Sequence, residues 1–333
     1  MSTGPAAGTT FFRLTPVLTA RHVRDADEFG VDTQLTLEKS SNQDVAEDRV
    51  DPRLRAFWKH ADPLNTTEVA LVYDVSAVRD LGLTQQVPVG SDGSRTLLGL
   101  AASWSRDLDP RTTMLAEFAQ DFENFTDAQT ADFSRTSAAL RFTRALSERQ
   151  SWYAVLNGQA YRSEASTGAV PDPTAGLRST VVGALFGVDH AFSPEFRVDA
   201  SAGPARYIEP VNRNGWQANF KAEYTAERWF AGLELLRAPV VNAQFGGLVM
   251  SDTMRVRVRY DLGPQQRLEL EAGHVRETAS RSKRSLATVA WVRQWNESWQ
   301  VSLKASTQRQ EGPEGTALSN RIGVVFLYTA PDL

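Results

Sequence analysis

From Ser251 to Thr278 apolar and polar residues alternate with a period of two. Met254, Val256, Val258 and Tyr260 interleave with Arg255, Arg257, Arg259 and Asp261. After Leu262-Gly263-Pro264-Gln265-Gln266, the residues Leu268, Leu270 and Ala272 interleave with Arg267, Glu269 and Glu271. Strict alternation places successive side chains on opposite faces of a β-strand. Closing the two runs as a hairpin sets Asp261 opposite Arg267, Arg259 opposite Glu269 and Arg257 opposite Glu271. On the other face Tyr260 meets Leu268, Val258 meets Leu270 and Val256 meets Ala272. A slip of one residue would mix the faces, so the pattern pins the register. Opposite charges facing each other in such a pair contribute roughly 0.2–1 kcal/mol each. Within this hairpin Arg255 faces Gly273 and has no acid across from it.

The same two-faced pattern runs through most of the chain. Phe12 to Arg21, Val31 to Glu38, Arg53 to Trp58, Val69 to Val75, Leu97 to Trp104 and Met114 to Glu123 read as strands. So do Thr136 to Ala145, Trp152 to Tyr161, Thr180 to His190, Phe196 to Ala202, Trp216 to Tyr224 and Trp229 to Leu235. Beyond the Met254 hairpin come Leu286 to Trp295, Trp299 to Ala305 and Ile322 to Tyr328. These make about 17 strands, with Leu83 to Val89 an eighteenth candidate. Most have the ~9–11 residues that a tilted membrane-crossing strand needs. Short turns follow Arg106, Leu146, Phe192, Thr225, Leu262 and Trp295, whereas Ser163 to Leu177, Ala238 to Met250, Thr278 to Lys283 and Gln308 to Asn320 are longer polar connections. Aromatic residues crowd the short turns: Trp104, Trp152, Phe192, Phe196, Tyr224, Trp229, Tyr260, Trp295 and Trp299. Short turns on one side, long loops on the other and an aromatic girdle predict an all-β, transmembrane, antiparallel up-and-down barrel of about 16–18 strands. Residues 9–329 form the barrel in this reading, 1–8 a disordered stub and 330–333 a short tail. A soluble sandwich would also alternate, but it has no need for that asymmetry.

Composition narrows the classes. The chain has 333 residues, a net charge of -4 and no cysteine, so bulk charge gives no reason to expect nucleic acid, and neither disulfides nor thiolate metal sites arise. The four histidines are scattered, and no apolar run approaches the ~18 residues of a membrane helix. Gly-x-Ser-x-Gly, a phosphate-binding loop and a His-Glu-x-x-His helix are all absent, so no enzyme, cofactor or metal site is expected. His190 and Ser193 lie near one another, yet a serine beside Pro194 is ordinary turn chemistry.

The charged residues carry the better signal. Arg13, Arg21, Arg141, Arg197, Arg255, Arg257, Arg259, Arg293, Lys221 and Lys304 fall on the expected inner face or near its ends. They predict a basic track for an anionic solute or polymer. Glu269, Glu271, Glu223 and Asp199 supply the competing reading, an internal brace of ion pairs. Glu117, Asp121 and Glu123, with Glu269 and Glu271, are expected on the same wet wall; the i, i+2 spacing of the first three fits one strand face better than a catalytic or calcium site.

With these features in view, the chain resembles the outer-membrane β-barrel porins associated with exopolysaccharide synthesis and export. The resemblance rests on Phe12-Arg13-Leu14-Thr15-Pro16-Val17-Leu18, on Phe220-Lys221-Ala222-Glu223-Tyr224-Thr225-Ala226-Glu227-Arg228-Trp229 and on the hairpin from Met254 to Glu271. It implies a bacterial outer-membrane pore in contact with lipid, an anionic polysaccharide as substrate, periplasmic export proteins as partners, and no catalytic residues. The alternatives are a small-solute diffusion porin with Ser163 to Leu177 as its constriction loop, a barrel assisting surface-protein translocation, and an outer-membrane hydrolase. Two departures stand out. The last strand is followed by Thr329-Ala330-Pro331-Asp332-Leu333 rather than ending on an aromatic residue, and Met1 to Gly8 has neither the basic nor the apolar region of a signal peptide.

Overall fold

The computed structural model describes residues 10–42, 47–78, 93–126, 132–163, 177–209, 212–241, 247–277, 282–312 and 315–328. Eighteen strands build one antiparallel sheet. The first nine are β1 (Phe11–Leu14), β2 (Val17–Arg24), β3 (Asp27–Ser40), β4 (Arg49–Ala61), β5 (Asn65–Ala77), β6 (Ser94–Asp109), β7 (Thr112–Phe125), β8 (Phe133–Ser147) and β9 (Gln150–Ser163). The remainder are β10 (Arg178–Ala191), β11 (Phe196–Glu209), β12 (Arg213–Thr225), β13 (Trp229–Val241), β14 (Leu248–Gly263), β15 (Gln266–Glu277), β16 (Lys283–Gln294), β17 (Trp299–Gly312) and β18 (Gly315–Tyr328). Consecutive strands pair from β2 through to β18, the up-and-down order of an outer-membrane barrel wall.

All 17 expected strands fall within this set. The first of them is split: β1 and β2 both pair with β3, Leu14 opposite Leu37 and Val17 opposite Gln34. Pro16 sits at the break. It has no N–H to give to a ladder, and its carbonyl instead accepts the Leu35 N–H at 3.1 Å. β1 and β2 are therefore two halves of one edge strand. Leu83 to Val89, residues 1–8 and 330–333, and most of the Ser163 to Leu177 connection lie outside the described residues.

Tracing the registers from strand to strand divides the sheet into two faces. One holds Leu98, Leu100, Phe118, Leu140, Phe186, Leu235, Leu270 and Leu303, large apolar side chains left exposed as a lipid-contacting belt must be. Near the short turns this belt ends in aromatic contacts: Trp229 lies 4.4 Å from Tyr260, Trp299 4.9 Å from Tyr328 and Phe192 5.5 Å from Phe196, centroid to centroid. The girdle expected from the sequence is thus built by cross-strand pairs. The opposite face is polar.

The short turns are held by local side-chain acceptors. Asp62 accepts the backbone N–H groups of Leu64 and Asn65 at 2.9 and 2.7 Å, which holds its carboxyl below the usual range. The turn of the Met254 hairpin is tighter than the sequence suggests: Gly263 pairs directly with Gln266, and the extra residue is absorbed as a bulge between Asp261 and Gly263.

Candidate functional site

Every expected pairing of the Met254 hairpin is present, including Asp261–Arg267, Arg259–Glu269 and Arg257–Glu271. These register positions carry the polar face across the whole sheet. Along it, acids and bases interlock. Arg13 donates to Glu38 on β3. Arg21 bonds Asp32 at 2.8 Å and lies 4.6 Å over the Phe57 ring. Arg95 joins Asp74 at 2.8 Å and Glu123 at 3.7 Å, and Arg135 holds Asp121. Arg197 takes Asp189 at 2.8 Å, and Lys221 takes Glu223 at the same distance.

Two sequence-based expectations are corrected. Arg255 does have acids nearby: Glu234 stands directly opposite on β13 at 3.7 Å, and Glu271 lies diagonally on β15 at 3.6 Å. Arg293 does not share the polar face. It stands opposite Gln266 and Val301, on the register of Trp291 and Leu303, at the short-turn end of the apolar side. There an arginine can lay its stem on the belt and extend its charge to the headgroups. The other named bases and acids keep the polar register. Glu117 stands opposite Ser103 and Ala139, and Lys304 opposite Ala290 and Gly323. Arg259 comes within 3.8 Å of Asp261, Arg257 within 3.8 Å of Glu234, and Arg267 bonds Glu269 at 2.6 Å. Arg141 stacks 3.8 Å over the Tyr153 ring and donates to Thr143 at 3.2 Å.

At the long-connection end the polar face turns apolar. Phe133, Tyr161, Val181, Ala205 and Tyr207 are buried there with Val241, Leu248 and Met250 in one cluster. The first five share the polar-face register; Val241, Leu248 and Met250 come from the opposite register of β13 and β14. They can meet only if the end of the β13–β14 hairpin leans inward. Gly247, at φ 96°, fits that path: a Cβ built on it would lie 3.7 Å from Ser179 on β10, four strands away. The ring of Phe133 lies 5.2 Å from that of Tyr161, tilted by 37°, and the exposed Arg213 guanidinium lies 4.4 Å over Tyr207. Arg284 is buried on the same face and donates to Gln310 at 3.3 Å.

Below this cluster the wall is drawn tight by glycine. Gly183 and Gly187 leave the polar face of β10 bare, so side chains from β9 reach across it. Asn157 and Gln217 exchange amide hydrogen bonds of 3.0 and 3.2 Å, and Tyr153 donates to Asp199 at 2.8 Å. At Gly203 the β10–β11 ladder skips from Gly183–Ala205 to Phe186–Ala202, and a Cβ would collide with the Ala184 carbonyl. The sequence reading missed this end of the molecule. Tyr161 ends the expected strand from Trp152, whereas Tyr207 lies beyond the expected end of the strand at Ala202, and no local signal places the two together.

No protein-family model matches the chain, and no curated protein matches it. Solved structures do share its fold. The FpvA protein of P. aeruginosa, in complex with a pyoverdine and iron, superposes with a TM-score of 0.56 at 7% identity, over 97% of this chain and 58% of that one. The FrpB iron transporter of Neisseria meningitidis gives 0.54 at 9% identity, over 91% and 62%. The siderophore receptor PiuA of Acinetobacter baumannii gives 0.50 at 10%, over 90% and 62%. This chain therefore spans about three fifths of the length of these structures. The shared feature is the antiparallel barrel wall.

Proposed function

We propose that this chain forms the wall of an outer-membrane transporter that holds a small anionic solute at its outer end. The observation that carries the reading is the aromatic cluster of Phe133, Tyr161 and Tyr207, with the Arg213 guanidinium stacked on Tyr207 at the long-connection end of the polar face. The rings are buried against one another, so the exposed Arg213 guanidinium, held in place over Tyr207, is the group that meets a negatively charged chelate. The structural neighbours named as an iron transporter, a siderophore receptor and a pyoverdine complex lend this solute class weight. The polar face lines the path, and its interlocked ion pairs brace the wall more than they offer a free basic track. A polysaccharide pore, with periplasmic export partners, and a diffusion porin both need a continuous wet path. The apolar cluster weighs against both.

The test combines binding with conductance. Ferric catecholate and hydroxamate chelates, ferric citrate and an acidic polysaccharide are titrated against the folded protein while its tryptophan fluorescence is followed. One ferric chelate is expected to bind, and Tyr207→Ala to weaken it by about tenfold, equivalent to ~1.4 kcal/mol. A steady open-channel current in a planar bilayer, blocked by acidic polysaccharide and untouched by any chelate, would instead support the secretion pore.

A further inference from the structure

Where the β13–β14 hairpin leans inward, the opposite face of the sheet is dented. A concavity of about 860 Å³ opens on the apolar side. Its floor includes Phe186, Trp216, Leu235 and Met254, all on the lipid-contacting register. Its end toward the long connections carries Arg237, Asp252 and Arg276.

The charges at that end are out of balance. Arg237 donates to Asp252 at 2.7 Å and lies 4.5 Å over the Trp216 ring. In register Asp252 faces both Arg237 and Arg276, and Arg276 faces Lys283 on its other side. The row continues to Glu311 opposite Lys283, so two acids stand with three cations, and Arg276 and Lys283 face each other directly. On β9 and β10 the same level shows a second like-charged pair, Arg162 opposite Arg178. Like charges directly opposite in an antiparallel pair are destabilising. A multivalent anion seated between them reverses the sign of that contribution through charge-assisted hydrogen bonds.

With short turns on the periplasmic side, the long-connection end of the apolar face lies at the headgroup level of the outer leaflet. A lipid there places its phosphates at the level of Arg237, Arg276 and Lys283 and its acyl chains along the floor below. We propose that this groove is a binding site for an outer-leaflet lipid that carries phosphate groups on a multi-acyl anchor. The phosphates bridge Arg276, Lys283 and the outer edge of Arg237, and one acyl chain lies over Trp216, Leu235 and Met254. The floor answers to the chain and the cations to the phosphates; a soluble anion would use only the second.

Folded protein in detergent is incubated with a bisphosphorylated, hexa-acylated glycolipid, with phosphatidylcholine, or with inorganic phosphate, and retention is read by native mass spectrometry. The glycolipid is expected to stay bound through a wash that removes phosphatidylcholine. Inorganic phosphate should neither be retained nor displace the glycolipid. Arg276→Ala combined with Lys283→Ala should reduce retention by about tenfold, the order of a lost pair of charge-assisted contacts. Ala202→Trp, whose register partners are Phe186 and Ala218, fills the groove without facing a charge and should do the same, which keeps the test intact if the charge variant fails to fold. Equal retention of glycolipid and phosphatidylcholine, or unchanged retention in the groove-filling variant, overturns the proposal. Displacement by inorganic phosphate also overturns it, by reducing the site to a simple anion patch.

Discussion

Gly183 shows how one missing side chain shapes the wall. A Cβ at that position would overlap the Gln217 amide and stand 2.7 Å from the Asn157 oxygen. The bare backbone is what lets those two amides meet across β10 and β11. Gly183→Val should therefore break the amide pair and overpack the polar face, destabilising by about 1–3 kcal/mol. Gly215→Ala is the matched comparison, because a Cβ there would find nothing closer than 3.7 Å. It should shift stability little. Urea titration of both variants in detergent micelles, followed by tryptophan fluorescence, checks the difference. Equal midpoints would mean that the Asn157–Gln217 bridge does not constrain the wall. In the sequence Gly183 and Gly187 are merely two glycines within an apolar run, and nothing local marks them as the place where neighbouring strands reach over. Arg293 failed for the opposite reason: its charge suggested the polar face, whereas its register follows Trp291.

At the scale of the hairpin, the sequence specified what lies within one turn of chain. The Met254 hairpin shows each expected cross-strand neighbour because the alternation and a short turn leave one register open. Pairings between hairpins were less legible, since a connection such as 242–247 fixes no register by its own length. Arg255 is the case in point, because its facing acid comes from the preceding strand. Glu234 lies within 3.7 Å of Arg255 and 3.8 Å of Arg257, while Glu271 turns toward Arg255 at 3.6 Å. A double-mutant cycle of Arg255→Gln and Glu234→Gln should give a favourable coupling of roughly 0.2–1 kcal/mol that shrinks as salt rises. The cycle of Arg257→Gln and Glu271→Gln should give less, although those two face each other in register. The reverse ranking would show that register, and not side-chain reach, decides which pairs brace the wall.

For the whole molecule the decisive feature is strand direction. Counting β1 and β2 as one strand, 17 strands alternate in direction, so the edge strand 11–24 and β18 both run from the long-connection end toward the short turns. Among the described residues no register joins β18 to β1 or β2, and both edges are exposed, with Ile322 at 83%. The short turns were plain in the sequence, but the expected loop Gln308 to Asn320 is almost wholly taken up by β17 and β18. The relation of the two edges was not legible, because each strand reports only on its immediate partners. Pairing these edges directly would make one parallel ladder in an otherwise antiparallel sheet, whereas closing it antiparallel takes an odd number of strands between them. The second arrangement leaves β2 and β18 two strand spacings apart or more, roughly 9.5 Å. The cysteine-free chain makes this measurable, since any introduced pair supplies the only thiols. A disulfide needs Cα atoms within about 7 Å. Leu303→Cys with Val324→Cys, opposite one another across β17 and β18, should cross-link in the folded protein. Ala20→Cys with Ile322→Cys, and Ala20→Cys with Val324→Cys, should not. Efficient cross-linking of either Ala20 pair would mean that the edges meet directly and that the wall closes on a parallel seam.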